Sequence, residues 1–295
     1  MGFAETNRAH TRMSTPLHNE YFGPYKLIRS LGNAHGASRF VVLCNRTDTN
    51  YLLYRIDRLN NHKARRNIFD TFMKMSTLDH PHLLKIESVS YDDQGRICVI
   101  TPYTGNHDGL VTLNNLLEQR GGRFGVPEAT RAIEHLLDAS QHAHDLGIFN
   151  GPINAEDILI DRYGCLQVQF YGFSTLRAGY KSKSVMIAEE VRSIIDLGYT
   201  MMTGLTSGTS RIAPSRVVKK IDRNWDTWFE IGLDPVDGFD NLAHAISALP
   251  TNSDCEQWLA SDITKQARRP QVHIGSMLRR FRTTSSSLSG HPREQ

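Results

Sequence analysis

Nowhere among the 295 residues is there a run of about twenty apolar side chains, the length a helix needs to cross a bilayer, so no membrane span is expected. The opening stretch MGFAETNRAHTRMSTPLHNEY also lacks the apolar segment of a secretory signal, which makes a cytoplasmic protein the expectation. Cysteine is scarce. Cys44, Cys98, Cys165 and Cys255 lie far apart with no Cys-x-x-Cys pair, which excludes a zinc knuckle and a disulfide-stapled scaffold. No repeat period runs along the chain, and no Gly-x-Ser-x-Gly turn is present to carry a hydrolase. Basic charge is sparse over most of the length: the net charge is +3, yet residues 265–295 hold seven Lys and Arg against Glu294 alone, so the body before them is mildly acidic. A nucleic-acid-binding body would need a basic stripe, and no nucleic-acid partner is expected.

What is present is an ordinary globular composition, 39% hydrophobic and 22% charged, enough for one large domain or two modest ones. Residues 1–20 are polar and residues 276–295 are basic and Ser/Thr-rich; both ends read as disordered, with a folded body over 21–275. Three strand-like runs, YKLIRSL, SRFVVLC and NYLLYRI, are separated by turn residues and predict an antiparallel meander from Tyr25 to Ile56. KARRNIFDTFMKMSTL then places Ile68, Phe69, Phe72, Met75 and Leu78 at helical spacing, and two further strands flank Asp92–Gly95. From residue 104 the character changes. VPEATRAIEHLLDASQHAHDLG predicts a helix that begins at Pro127, carries Ile133, Leu136, Leu137, Ser140 and Ala143 on one face and stops at Gly147. A small hairpin follows around DRYG, with Ile158–Ile160 before it and Leu166–Phe170 after it, then helical stretches over about 189–203 and 238–249. The fold class is α+β, a small antiparallel lobe (21–103) before a larger, mainly helical one (104–275).

The order of these elements, with short motifs at matching places, resembles the eukaryotic-type protein kinase fold over roughly residues 21–275, and resembles the bacterial Ser/Thr kinase-like family as well. LGNAHGASRFVVL is similar to a Gly-rich loop that keeps Gly32 and Gly36, with Ala34 and Ala37 where further glycines would stand. LLYRI resembles the strand that bears the phosphate-pairing lysine, with Arg55 in the lysine position; LDHPHLLKI resembles the connection after the regulatory helix. VITPY resembles the hinge, with Thr101 as gatekeeper and Tyr103 in the hinge itself. AHDLGIFNGPINAEDILID is similar to the catalytic-loop stretch, VQFYGF to the DFG segment, and IIDLGYTMMTGL to the helix that anchors the second lobe.

Kinases of this kind position ATP and neutralise charge with a lysine–glutamate pair, a metal-binding Asp, a second metal ligand and a catalytic Asp. Carried onto this chain, the catalytic Asp falls on Pro152, which accepts no proton, and the DFG Asp falls on Phe170, which offers no oxygen to Mg²⁺. The lysine's glutamate partner falls on Thr71, and the catalytic-loop Asn on Asp157, which together with Asp161 is the remaining acid near the phosphate site. The stretch between Gly172 and Leu197 is short for an activation loop and has no Ala-Pro-Glu. The resemblance thus implies a pseudokinase, a non-catalytic regulator or scaffold with protein partners, with no catalytic residue and no ATP or Mg²⁺ cofactor required. The alternative is a divergent ATP-binding Ser/Thr kinase or other nucleotide-dependent transferase, using Gly32, Gly36, Arg55, Thr101, Tyr103 and Asp157 to hold nucleotide.

Three further features stand apart. Trp225 and Trp228 are three residues apart, a spacing that fills a core more often than it binds a partner. Thirteen histidines include His135 and His142 on one face of a helix, without an evident third metal ligand. The tail joins Arg279, Arg280 and Arg282 to Thr283, Thr284, Ser285, Ser286 and Ser287, candidate phosphorylation sites for a basophilic kinase.

Overall fold

The computed structural model describes residues 20–250, apart from 35, 58–60, 107–108, 174–181 and 209–210. The remaining sequence expectations, including the terminal arm and tail, the candidate phosphosites Thr283–Ser287, Cys255 and the body beyond Pro250, lie outside the described residues.

Alternating and β-branched residues build the first lobe. Strands β1 (Tyr21–Phe22), β2 (Tyr25–Ala34), β3 (Ala37–Cys44), β4 (Thr49–Ile56), β5 (Ser88–Tyr91) and β6 (Ile97–Pro102) form one antiparallel sheet in the order β1-β2-β3-β4-β6-β5. Helix α1 (His62–Met75) lies between β4 and β5 in sequence; its first amides are capped by Asn61, whose side chain accepts from Lys63 N and Ala64 N. The two faces of the sheet bury separate groups. Leu52, Tyr54, Ile56, Ile97 and Val99 pack with Phe72 and Met75 of α1, while Leu27, Val42, Leu53, Cys98 and Ile100 form a second cluster.

The second lobe is built around two crossing helices. After β7 (Val111–Thr112) and α2 (Leu113–Gln119), which starts with a Thr112–Asn115 capping box, comes α3 (Val126–Asp145) with Pro127 in its first turn. The predicted face of α3 is the buried one: Ile133, Leu136, Leu137, Ser140 and Ala143 are shut off from water. A short 3₁₀ turn (Ala155–Asp157) leads into β8 (Ile158–Ile160) and β9 (Leu166–Val168), which complete a three-stranded sheet with β7. Helix α4 (Lys183–Thr203) starts six residues earlier than the sequence predicts, because Ser182 caps it by accepting from Val185 N; Gly204, in a left-handed conformation, ends it. Gly198 lets α4 approach α3 closely, since a Cβ there would stand 2.7 Å from Ile133. Helices α5 (Pro214–Val217), α6 (Asn224–Gly232) and α7 (Leu242–Ser247) close the lobe; α7 is shorter than the predicted 238–249. Trp225 and Trp228 fill the core as their spacing predicts, with Trp228 Nε1 donating to Ala245 O.

The connection after α1 straps the lobes together. Leu84 N donates to Val168 O and Val168 N to His82 O, so this segment runs beside β9. Among the described residues no helix is long and apolar enough to cross a membrane.

Candidate functional site: the cleft between the lobes

Four elements meet where a phosphate-handling site is expected: β4, α1, the turn after β9 and the loop Asn150–Ile153. The turn is Gln169-Phe170-Tyr171-Gly172, in which Phe170 adopts a left-handed φ of 51°. That conformation throws its ring upward into the first lobe, where it meets Tyr54 edge-on at 4.4 Å between ring centres and Phe72 at 5.2 Å; Phe173 stacks on Phe72 at 5.1 Å. Phe170 is buried in this cluster, so the position predicted to lack a metal-binding oxygen is also closed to water. The Tyr54 hydroxyl donates to Gln169 Oε1 at 3.1 Å, and burial pushes its phenol well above its ordinary range, leaving a neutral donor at any accessible pH.

Arg55 is separated from this group. Adjacent residues of a strand point to opposite faces, and it is Tyr54 that faces Phe170 while Arg55 turns the other way. Its Nη2 donates to Glu20 Oε1 at 2.9 Å, its Nε lies 3.6 Å from Asp92, and its guanidinium stacks over the Phe40 ring. The expected Thr71 partner spends its hydroxyl on Asn67 O within its own helix. The acid next to it on α1, Asp70, pairs with Arg66 one turn away.

The remaining predicted positions are spread along the cleft. Gly32 and Gly36 both have positive φ, 75° and 72°, but β2 and β3 stay paired up to Ala34 opposite Ala37, so they sit at a bulge and at the tip of a continuous hairpin. Thr101 is fully buried beside Leu52. Tyr103 accepts a hydrogen bond from Arg29 Nη2 at 3.3 Å and donates to Asn106 O at 2.6 Å, and with Leu31 and Leu110 it packs against the aromatic cluster. Asp157 closes its own turn: Oδ2 accepts from Asn154 N and Nδ2. Asp161 likewise accepts from Tyr163 N and Cys165 N in the β8–β9 hairpin. No group of three or more His, Cys, Asp or Glu side chains is placed to hold a metal ion among the described residues.

The loop carrying Pro152 is held from below by a residue the sequence did not single out. Glu190, on α4 and wholly buried, accepts from Asn150 N and Gly151 N at 3.1 and 3.0 Å and from the Tyr171 hydroxyl, and faces His144 Nε2 at 3.3 Å. Burial, and then the Glu190 charge, hold the Tyr171 phenol well above its usual range. One turn later, Ser193 Oγ accepts from Ile153 N. Asn150 completes the link by accepting from Gly172 N at 2.7 Å. A carboxylate buried with four donors around it fixes the loop in one shape. The sequence marks Glu190 only weakly, since Glu189, Arg192 and Asp196 stand beside it; its place on the inner face with Met186, Val191 and Ile194 is what buries it, an expensive placement unless donors meet it.

No protein-family model matches the chain. CBL-interacting protein kinase 9 of Oryza sativa subsp. japonica is 24% identical over 193 residues, 61% of this chain and 40% of the relative. CBL-interacting serine/threonine-protein kinase 3 of Arabidopsis thaliana is 25% identical over 158 residues, 52% of this chain and 34% of the relative. The chain thus spans about two fifths or less of the length of these curated relatives. Among solved structures, a point mutant of the Mycobacterium tuberculosis PknI kinase domain superposes with a TM-score of 0.61 at 15% identity, covering 78% of this chain and 96% of that one. Strand order, helical lobe and these likenesses agree, and the chain has a protein kinase-like fold.

Proposed function

We propose that the chain is a pseudokinase, a non-catalytic regulator or scaffold that keeps the kinase-like fold without phosphoryl transfer. The observation that carries this reading is the aromatic cluster of Tyr54, Phe72, Phe170 and Phe173 in place of the groups that would neutralise phosphate charge. Mg²⁺ takes hard oxygen ligands, and the donor set does not fit a magnesium-bound triphosphate: Phe170 offers a phenyl ring, and the Asp157 carboxylate is engaged in its turn. Pro152 supplies no base, which removes a contribution typically worth 10²–10⁴-fold in rate. The kinase names of the curated relatives favour the second reading, a divergent nucleotide-dependent transferase. Incubation with γ-labelled ATP and Mg²⁺ or Mn²⁺, with and without generic protein substrates, separates the two. The pseudokinase reading predicts no transfer of label; metal-dependent labelling that disappears in Asp157→Ala would overturn it.

A further inference from the structure

The strap between α1 and β5 meets α3 through histidines that the reading of the cleft does not use. His80 and His82 come from the strap, His135 and His142 from α3, and all four are partly buried. The rings of His82 and His135 stack at 3.8 Å between centres and 16° between planes, and the His80 ring lies 5.2 Å from His142 and 5.6 Å from His82. We propose that this cluster is an acid-operated latch: with neutral rings it holds the strap against the helical lobe, and on acidification the strap lets go of α3 and its hydrogen bonds to β9 open.

The hydrogen bonds assign the protons of the two strap rings. His80 Nδ1 accepts from His82 N at 3.2 Å, so the neutral ring carries its proton on Nε2, which donates to Asp138 Oδ2 at 3.1 Å. His82 Nδ1 faces a carbonyl and therefore donates, to Leu166 O at 3.0 Å. Each ring in its neutral form thus fixes backbone. A proton added to His80 Nδ1 turns an acceptor into a donor aimed at the His82 amide, and a proton added to His82 Nε2 makes a cation lying flat against His135. A further proton on His135 would set two like charges 3.8 Å apart between ring centres. His142 Nε2 is shut off from water with no hydrogen-bond partner among the described residues, so a charge on that ring would go unanswered.

The charges around the rings do little to absorb those protons. Asp138 is engaged with His80 and 75% exposed, and Arg131, one turn before His135, adds positive charge; Glu134 interacts with Arg131. From the β8–β9 hairpin comes Cys165, 3.6 Å from His82 Nδ1; burial and then the Asp161 charge push its thiol up, so it brings no thiolate. On the strap itself Asp79 and Lys85 are exposed and lie 3.9 Å from each other. Burial, then His82 and Arg131, hold the His135 pKa down to about 4, so the closed cluster refuses a proton that an opened one takes between about pH 6.5 and 4. The latch acts on two backbone bonds, Leu84 N to Val168 O and Val168 N to His82 O. His82 carries both the stacked ring and one of those carbonyls, which couples ring to strand. This device goes beyond the reading of the cleft and does not rest on it.

Amide hydrogen exchange of the full chain between pH 7.5 and 5, read as protection relative to unfolded-chain rates at each pH, tests the latch. The Leu84 and Val168 amides should lose protection at least about fivefold on going to pH 5, while the amides of Ile194 and Ile195 in α4 keep theirs. His135→Phe keeps a flat ring on His82 and takes no proton. Its strap amides should match the parent chain at pH 7.5 and lose about twofold or less at pH 5. A merely structural role for His135 would instead change protection equally at both pH values. Strap protection that does not fall, an equal fall at Ile194 and Ile195, or a fall in His135→Phe as steep as in the parent would each overturn the proposal.

Discussion

Phe170 and Tyr54 are the residues on which the cleft turns. A phenyl ring at the turn after β9 and a phenol on β4 replace charge with aromatic contact, and their contact joins the two lobes through apolar burial. Restoring an acid there should be costly. Phe170→Asp would place a carboxylate against Tyr54 and Phe72 and remove an aromatic side chain from a packed cluster. An unfolding free energy lower by roughly 3–5 kcal/mol is expected from urea titration, with no Mg²⁺-dependent recovery. A neutral result would mean that the cluster is open to water. The exchange of roles between Tyr54 and Arg55 was not legible in the sequence for a definite reason. Every residue from Leu52 to Ile56 is buried, so the polar–apolar alternation that fixes which side chain faces which way is missing, and a one-residue difference in register reverses the assignment. Phe170 was legible as a departure from the kinase pattern; that it folds into the first lobe depends on its left-handed backbone, which no local sequence rule demands of a phenylalanine.

At the scale of elements, the meander of β2–β4 and helix α3 follow from turn residues and periodicity, because both have one consistent burial pattern over many residues. The short α2 and α5 did not announce themselves, having too few residues for a period to show. The connection between α1 and β5 hides a different feature. His80 and His82 from this strap meet His142 and His135 from α3, with ring centres of His82 and His135 stacked at 3.8 Å, although the two pairs are far apart in sequence. Cys165 Sγ lies 3.6 Å from His82 Nδ1, and Asp138 pairs with His80 at 3.1 Å. Burial, then the neighbouring His82 and Arg131, lower the His135 pKa to about 4, against a smaller opposing pull from Asp138. The unfolded chain therefore binds a proton at His135 between about pH 6.5 and 4 that the folded chain refuses. The stabilisation is complete above pH 6.5 and is lost as pH falls toward 4; with the ring partly exposed and screened by solvent the loss is roughly 1 kcal/mol. Melting temperatures from pH 7.5 to 4.5 should fall less steeply for His135→Phe than for the parent chain. Parallel curves would show that His135 takes its proton in the folded state as readily as in the unfolded one.

For the whole molecule, the helical lobe is tied to the cleft by a carboxylate: Glu190 holds the loop at Pro152, and that loop's Asn150 holds the turn after Phe170. Loop, turn and aromatic cluster thus form one connected structure that runs from the helical lobe into the first. Nucleotide binding tests this account most directly. Thermal unfolding of the full chain with ATP and Mg²⁺, or ATP and Mn²⁺, across a titration into the millimolar range is predicted to show no change in midpoint. A rise that grows with nucleotide concentration toward the stabilisation of about 2.7 kcal/mol expected at a hundred times the dissociation constant would contradict it.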